Sequence, residues 1–261
     1  MIFIDSIVCG DNVTVMKQMP DSCVDLTITS PPYDNLRTYD GNSTFDFKGI
    51  AKELYRVTKD GGVVVWVVGD ATINGSETGT SFKQALYFKD IGFNLHDTMI
   101  YRKQNFTPLT HNRYEQEWEY MFCFSKGKPS AFNPIKDPCR LAGEKTWGSP
   151  TMYKDNSGNL TRVGQYVIGD TKIKGNIFSY QVGSTKTGGV NHPAMFPLKL
   201  AADHILSWSN EGDTVLDPFS GSGTTCKMAK ELGRHWIGIE INPKYIKISN
   251  RRMMQHVLSF N

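Results

Sequence analysis

The sequence has no cysteines spaced two apart, no cysteine or histidine cluster at zinc spacing, and no apolar run near the roughly 18 residues of a membrane span. Its five cysteines, Cys9, Cys23, Cys123, Cys139 and Cys226, are odd in number and scattered. That pattern argues against a disulfide scaffold or a structural zinc site and reads as reduced thiols. The opening MIFIDSIVCGD lacks the basic start and apolar stretch of a secretory leader, so an intracellular protein is expected. Internal repeats and low-complexity tracts are also missing. Net charge is small, +3 over 261 residues, too little by itself to establish a polyanionic partner.

What is present is a chain of ordinary globular composition, 39% hydrophobic and 21% charged, long enough for one large α/β domain. Charge is unevenly placed. Residues 126–190 hold ten Lys/Arg against four Asp/Glu, so this window carries about +6 and the remainder about −3. Apolar runs of strand length alternate with helical periods, which predicts a largely parallel sheet covered on both faces. Strands are expected over 2–8, 24–29, 63–68, 95–101, 120–124, 214–216 and 236–239. KGIAKELYRVT has helical spacing and stops at KDGG, while Pro197 and Pro243 each open a further helix. Residues 126–190 are rich in Gly, Pro, Ser, Thr, Asn and Lys with little periodicity, and are read as a loop-rich insertion.

Two segments lie just past strand ends, where open α/β sheets bind ligands. The first is VLDPFSGSGTT, residues 215–225. Gly221 and Gly223 permit a tight turn and close backbone approach before a helix, and the next strand ends in Glu240, suited to ribose hydroxyls. A plain strand-to-helix turn would use such glycines too, but the strand, turn, helix, strand and acidic end occur together. Gly223 is followed by Thr-Thr-Cys, so a phosphate loop of the GxxxxGK[ST] type is absent. A dinucleotide fold would want Gly or Ala where Cys226 stands. S-adenosylmethionine fits better, its ribose at Glu240 and its charged methionine end at the Gly221/Gly223 turn and the Thr224 and Thr225 hydroxyls.

The second segment is TSPPY. Each proline fixes φ, lacks an N–H and disfavours helix in the residue before it, so Ser30-Pro31-Pro32 is a rigid extended exit from a strand. Its carbonyls and the Ser30 hydroxyl can accept N–H bonds from a planar amine, and Tyr33 can stack on that amine's face. A sheet-edge terminator with a core tyrosine is the bland alternative; the neighbouring cofactor-like loop weighs against it.

At these residues the chain resembles the amino-group DNA methyltransferases of the permuted β group, in which [DNS]PPY precedes FxGxG. GDNV, SCVDLTITSPPY, ELYRVTKDGGVVVWVVGD, YRKQNFTP, YEQEWEYMFCFSKG, HPAMFPLKLAADHI and LDPFSGSGTT carry the resemblance, which spans nearly the whole chain outside the middle region. It implies a class I methyltransferase (Rossmann-like) fold: a seven-stranded, mostly parallel sheet with the last strand antiparallel, circularly permuted motif order and an inserted recognition region. Residues 1–125 would form the catalytic half, 126–190 the target-recognition region and 191–261 the S-adenosylmethionine-binding half. Asp11 would accept from the cofactor's adenine amino group, although it could also cap the helix NVTVMKQM, and Asp217, Phe219, Gly221, Gly223 and Glu240 would surround the rest. Ser30, the Pro31 carbonyl, Pro32 and Tyr33 would hold the target base.

An exocyclic amine is a weak nucleophile because its lone pair is delocalised into the ring. Hydrogen bonds to Ser30 and the Pro31 carbonyl would localise that pair and stabilise the developing charge, and alignment with the methyl donor would supply much of the remainder. No metal is needed. The target base must leave the duplex and stack, which gives Tyr33, Tyr101 or Phe106 a use. In this family SPPY goes with cytosine N4 and [DN]PPY with adenine N6, so Ser30 points to cytosine, with adenine as the alternative. Arg37, Tyr101, Lys103 and Arg113 are further candidates for DNA contact, as are Trp147, Tyr153 and Tyr166 of the basic window. The residues alone also leave open an RNA or protein substrate, an inactive DNA-binding module, a homodimer and a companion restriction endonuclease. Double-stranded DNA is the expected partner, the cytoplasm the expected location, and no membrane is involved.

Overall fold

A computed structural model describes residues 3–32, 45–105, 113–146, 151–155, 157–163, 166–181 and 196–254, without the side chains of 151–153 and 161–163. The elements run β1 (Ser6–Cys9), α1 (Asn12–Met16), β2 (Val24–Thr29), α2 (Phe47–Val57), β3 (Thr58–Val68), β4 (Thr72–Ile73), β5 (Ser76–Glu77), α3 (Thr80–Asp90), β6 (Asn94–Lys103) and β7 (Trp118–Ser125). They continue as β8 (Lys136–Pro138), β9 (Thr151–Lys154), β10 (Leu160–Val163), β11 (Thr171–Ile173), β12 (Ile177–Tyr180), α4 (Leu198–Trp208), β13 (Thr214–Asp217), α5 (Thr224–Glu231), β14 (His235–Glu240) and α6 (Pro243–Met254).

Eight strands form one sheet in the order β1-β14-β13-β2-β3-β7-β6-β12. Seven coincide with the expected runs. All neighbouring pairs are parallel except β3 with β7 and β6 with β7, so β7 alone runs against the rest. Followed from β13 through β14, β1, β2, β3 and β6, β7 comes last of the seven, as the permuted resemblance requires. The eighth strand, β12, extends the edge by pairing Phe178 with Tyr101 and Tyr180 with Lys103. Its four residues alternate exposed and buried within a polar stretch, a signal too short to separate from a loop.

The central strands are buried on both faces. Trp66, Val68, Phe122 and Phe124 face α1, α2 and α3 with Phe88 and Leu54. Phe88 stacks on Phe124 with centroids 4.5 Å apart, and the Trp66 indole N–H donates to Gln84 at 2.8 Å. Side chains of this size stabilise the fold by about 1.5–3 kcal/mol each when fully buried. On the opposite face α4 packs on β2, and α5 on β13 and β14. The KDGG segment, expected to follow the helix as a stop, is instead the start of β3: Gly61 has φ +80° and the pairing with β2 slips between Val24 and Leu26. No helix among the described residues is long and apolar enough to cross a membrane.

Residue contacts separate the chain into one unit of Met1–Asn133 with Asn176–Asn261 and a second of Pro134–Gly175. The second is narrower than the 126–190 insertion, because 177–180 joins the main sheet. It consists of the hairpin-like pairs β8/β11 and β9/β10. Its ends meet, the Lys174 N–H donating to the Ile135 carbonyl at 2.9 Å.

Candidate active site

Strand order locates the site before any side chain is considered. From β13 the chain steps to β14 on one side, whereas β2 and β3 build outward on the other. The crevice between β13 and β2 is therefore a topological switch point, open at the carboxyl ends of both strands. Asp217 ends β13; Thr29, followed by Ser30-Pro31-Pro32, ends β2.

One carboxylate oxygen of Asp217 joins these ends. It accepts from the Thr29 hydroxyl at 2.7 Å and from the Phe219 N–H at 3.0 Å. Thr225 adds a bond to the Ile28 carbonyl at 3.4 Å. Burial raises the Asp217 pKa to about 6, against the opposing effect of its hydrogen bonds. Ser30 is half-buried and Pro31 buried. Tyr33 and Arg37 lie outside the described residues.

The glycine loop is braced from the next strand. Glu240 accepts from the Gly221 N–H through one oxygen and from the Asn242 N–H through the other, both at 2.8 Å. Each oxygen retains a further acceptor direction, and burial holds the Glu240 pKa above the usual carboxylate value. Gly221 has φ +51° and Gly223 φ +76°. A Cβ on Gly223 would stand 2.7 Å from the Ser249 Cβ of α6. The second glycine is thus required by helix packing as well as by its left-handed backbone.

Thr224 and Thr225 are buried inside the start of α5. The Thr224 hydroxyl accepts from Arg252 at 3.1 Å, and the same guanidinium nitrogen donates to the Ser222 carbonyl at 2.7 Å and hydroxyl at 2.6 Å. Arg252 and Thr29 were not singled out from the sequence. Arg252 lies far along the chain and carries no motif; Thr29 could have been noticed as the last polar position before Ser30. Asp11 follows Cys9, which pairs with Glu240 in register. It caps α1, accepting from the Thr14 N–H at 2.9 Å and hydroxyl at 2.8 Å. The Phe219 ring packs against Phe45 at 5.8 Å and Trp66 at 6.3 Å.

The side chains expected on the DNA side fare differently. Tyr101 is 5% exposed and its ring lies 5.7 Å from Tyr180, so it packs inside the β6–β12 edge, and burial raises its pKa. Lys103 pairs with Glu119 at 2.7 Å. Arg113 donates to the Gly75 carbonyl and pairs with Glu77 at 3.7 Å. Phe106, Trp147 and the side chain of Tyr153 lie outside the described residues, whereas Tyr166 is exposed.

Residues 24–251 match the N6/N4 methylase family, described as DNA methylase. The chain is 51% identical over 247 residues to the orphan methyltransferase M.BamHII of Bacillus amyloliquefaciens, covering 93% of each protein. Among solved structures, the cytosine-N4-specific PvuII DNA methyltransferase superposes with a TM-score of 0.71 at 22% identity, over 97% of this chain and 88% of that one. M1.HpyAVI, solved as a SAM complex, superposes with a TM-score of 0.64 at 23% identity, over 95% and 98% of the two chains.

Proposed function

The chain belongs to the N6/N4 DNA methylase family and is an S-adenosylmethionine-dependent DNA methyltransferase, and we propose that its target is the N4 amino group of cytosine in double-stranded DNA. The observation carrying the site assignment is the Thr29–Asp217 bond, which sets Ser30-Pro31-Pro32 beside the glycine loop. Serine before the two prolines supports cytosine, as does the likeness to a methyltransferase named as cytosine-N4-specific.

The residues present suit the cofactor. Asp11, Asp217 and Glu240 bring three carboxyl groups to the ends of β1, β13 and β14, matching ligand hydroxyls and the positive charges of a sulfonium and an ammonium. The bound cofactor supplies an electrophilic methyl group. Ser30 and the Pro31 carbonyl accept the amino protons of the flipped base, which draws its nitrogen lone pair out of the ring. The prolines hold those acceptors without reorganisation, and Tyr33 supplies a stacking face. Pro134–Gly175 serves target recognition, and the name of the Bacillus amyloliquefaciens relative suggests action without a dedicated endonuclease.

The test is incubation of purified protein with unmethylated plasmid and labelled S-adenosylmethionine, followed by nucleoside mass spectrometry. Labelled N4-methylcytosine is expected; label in N6-methyladenine overturns the base assignment. Tyr33→Ala should lose turnover while retaining cofactor affinity, and full activity in that variant would remove the SPPY segment from the mechanism.

A further inference from the structure

Beside Pro32 the structure contains a cavity of about 400 Å³, lined also by Phe47 and Lys48 at the start of α2 and by Lys83, Gln84 and Tyr87 of α3. None of its lining residues comes from the glycine loop or from Glu240. It adjoins the SPPY strand end, and one lining residue, Phe45, packs on Phe219 of the loop assigned to the cofactor, so cofactor affinity has to be followed beside DNA binding.

Its two lysines differ from the paired lysines of the same unit in lacking an ion pair, which Lys17, Lys52 and Lys89 also lack among the described residues, and from those three in lining one cavity. Lys59 pairs with Asp25 at 2.7 Å, Lys103 with Glu119 at 2.7 Å and Lys126 with Asp60 at 3.7 Å. Among the described residues, neither Lys48 nor Lys83 joins an ion pair. The Lys48 ammonium sits 5.7 Å from the centre of the Tyr87 ring, and Lys83 donates only a long bond, 3.4 Å, to the Thr78 carbonyl. Gln84 accepts from the Trp66 indole through its oxygen, which leaves its NH₂ group as a donor for a ligand. Two uncompensated cations and an amide donor beside an aromatic wall suit an anion attached to an apolar or planar group. A nucleotide of the DNA strand has that composition.

Building on the reading of this chain as a DNA methyltransferase, we propose that Lys48 and Lys83 grip a backbone phosphate flanking the target nucleotide, with the Phe47 and Tyr87 rings against its sugar. The contact positions the strand so that the flipped base reaches Ser30 and Pro31; it carries no sequence information.

The experiment compares wild type with Lys48→Gln/Lys83→Gln in DNA binding from low to high salt, with S-adenosylmethionine affinity measured in parallel. Loss of two phosphate contacts should lower the slope of log K against log salt by about 1.8 and weaken binding near 0.15 M salt roughly thirtyfold. Cofactor affinity should stay unchanged, Lys48→Arg/Lys83→Arg should restore the slope, and Lys89→Gln at the far end of α3 should leave it intact. An unaltered slope in the double glutamine variant overturns the proposal, as does an equal loss in Lys89→Gln. A drop in cofactor affinity with an unaltered slope would reassign the lysines to the cofactor's carboxylate. Wild-type protein that bound no DNA would instead sink the parent reading, so the two failures are distinguishable.

Discussion

The sheet unit and the Pro134–Gly175 unit hold their apolar residues in opposite ways. Along β3, seven consecutive residues from Gly62 onward include Val63 through Val68, each at most 1% exposed. In Pro134–Gly175, no described side chain is buried, and Leu160, Val167 and Ile173 are each more than half exposed. Backbone pairing and local turns hold the small unit's shape. Asp155, for example, accepts from the Ser157 N–H at 2.8 Å and the Asn159 N–H at 2.9 Å, bonds that lower its pKa. Described side chains that bury nothing commit little of the unit's sequence to packing. Among the described residues of this unit, Lys136, Arg140, Leu160, Tyr166, Val167 and Ile173 are exposed to solvent.

The largest effect should come from separating the two. Because Ile135 and Lys174 are already bonded, residues 136–173 can be replaced by a short Gly-Ser turn. The shortened protein should fold and retain cofactor affinity, yet lose methylation of plasmid DNA by about a hundredfold or more, as specific contacts worth several kcal/mol disappear. Retained site-specific methylation would show that recognition resides on the sheet unit.

Within the sheet unit, Gly223→Ala tests how tightly the loop is committed to packing. A Cβ there meets Ser249 at 2.7 Å on a backbone with φ +76°. A destabilisation of about 2–4 kcal/mol is expected from strain and overpacking together. Adding Ser249→Gly should recover the packing part alone, a coupling that urea unfolding of the four proteins in the cycle would measure. If the singles are additive, the glycine is there for its backbone only.

These glycines show where sequence reading succeeds and where it stops. Runs such as VVVWVV identify central strands because burial on both faces leaves no other residue types. The loop after β13 was recognisable from glycines between a strand and a helix. That Gly223 faces Ser249 was not, since the contact depends on how α6 returns to the sheet. Tyr101 shows the same limit. An aromatic residue near a strand end fits a stacking role equally well, and only the presence of β12, four residues from a loop-like stretch, turns it inward. Lys103 and Arg113 were read as DNA contacts from their place around YRKQNFTP; that they also pair with Glu119 and Glu77 follows only from strand pairing and folding.

A smaller effect concerns the acid at the switch point. Asp217 has its pKa raised to about 6 by burial, from an ordinary 3.8. The folded protein therefore binds more protons than the unfolded chain between those values, so this group's contribution to stability falls as pH rises from about 4 to 6. Asp217→Asn should flatten that fall, with a gain on the order of 1–2 kcal/mol above pH 6, and should weaken cofactor binding. Unfolding by urea across pH 4 to 8 would show it. An identical pH profile in the variant would mean that the carboxyl is not strained by burial, and the contrast between a costly sheet-unit site and an unburied small unit would weaken.

The smallest expected effect is a gain. The Thr27 hydroxyl on β2 is fully buried with no hydrogen-bond partner, one of two such side chains among the described residues. An unsatisfied buried hydroxyl costs about 1–3 kcal/mol, and valine has nearly the same shape. Thr27→Val should therefore stabilise the protein by roughly 1 kcal/mol, seen as a higher urea midpoint with an unchanged slope. A matching polar-to-apolar change on the small unit, Thr171→Val at an exposed position, should fall within about 0.5 kcal/mol of wild type. The pair isolates burial as the variable: the same chemical change should matter where the chain packs and not where it faces solvent. Equal effects at both positions would mean that β2 tolerates a polar group at its centre, and that the sheet unit is less tightly packed around its switch point than its burial implies.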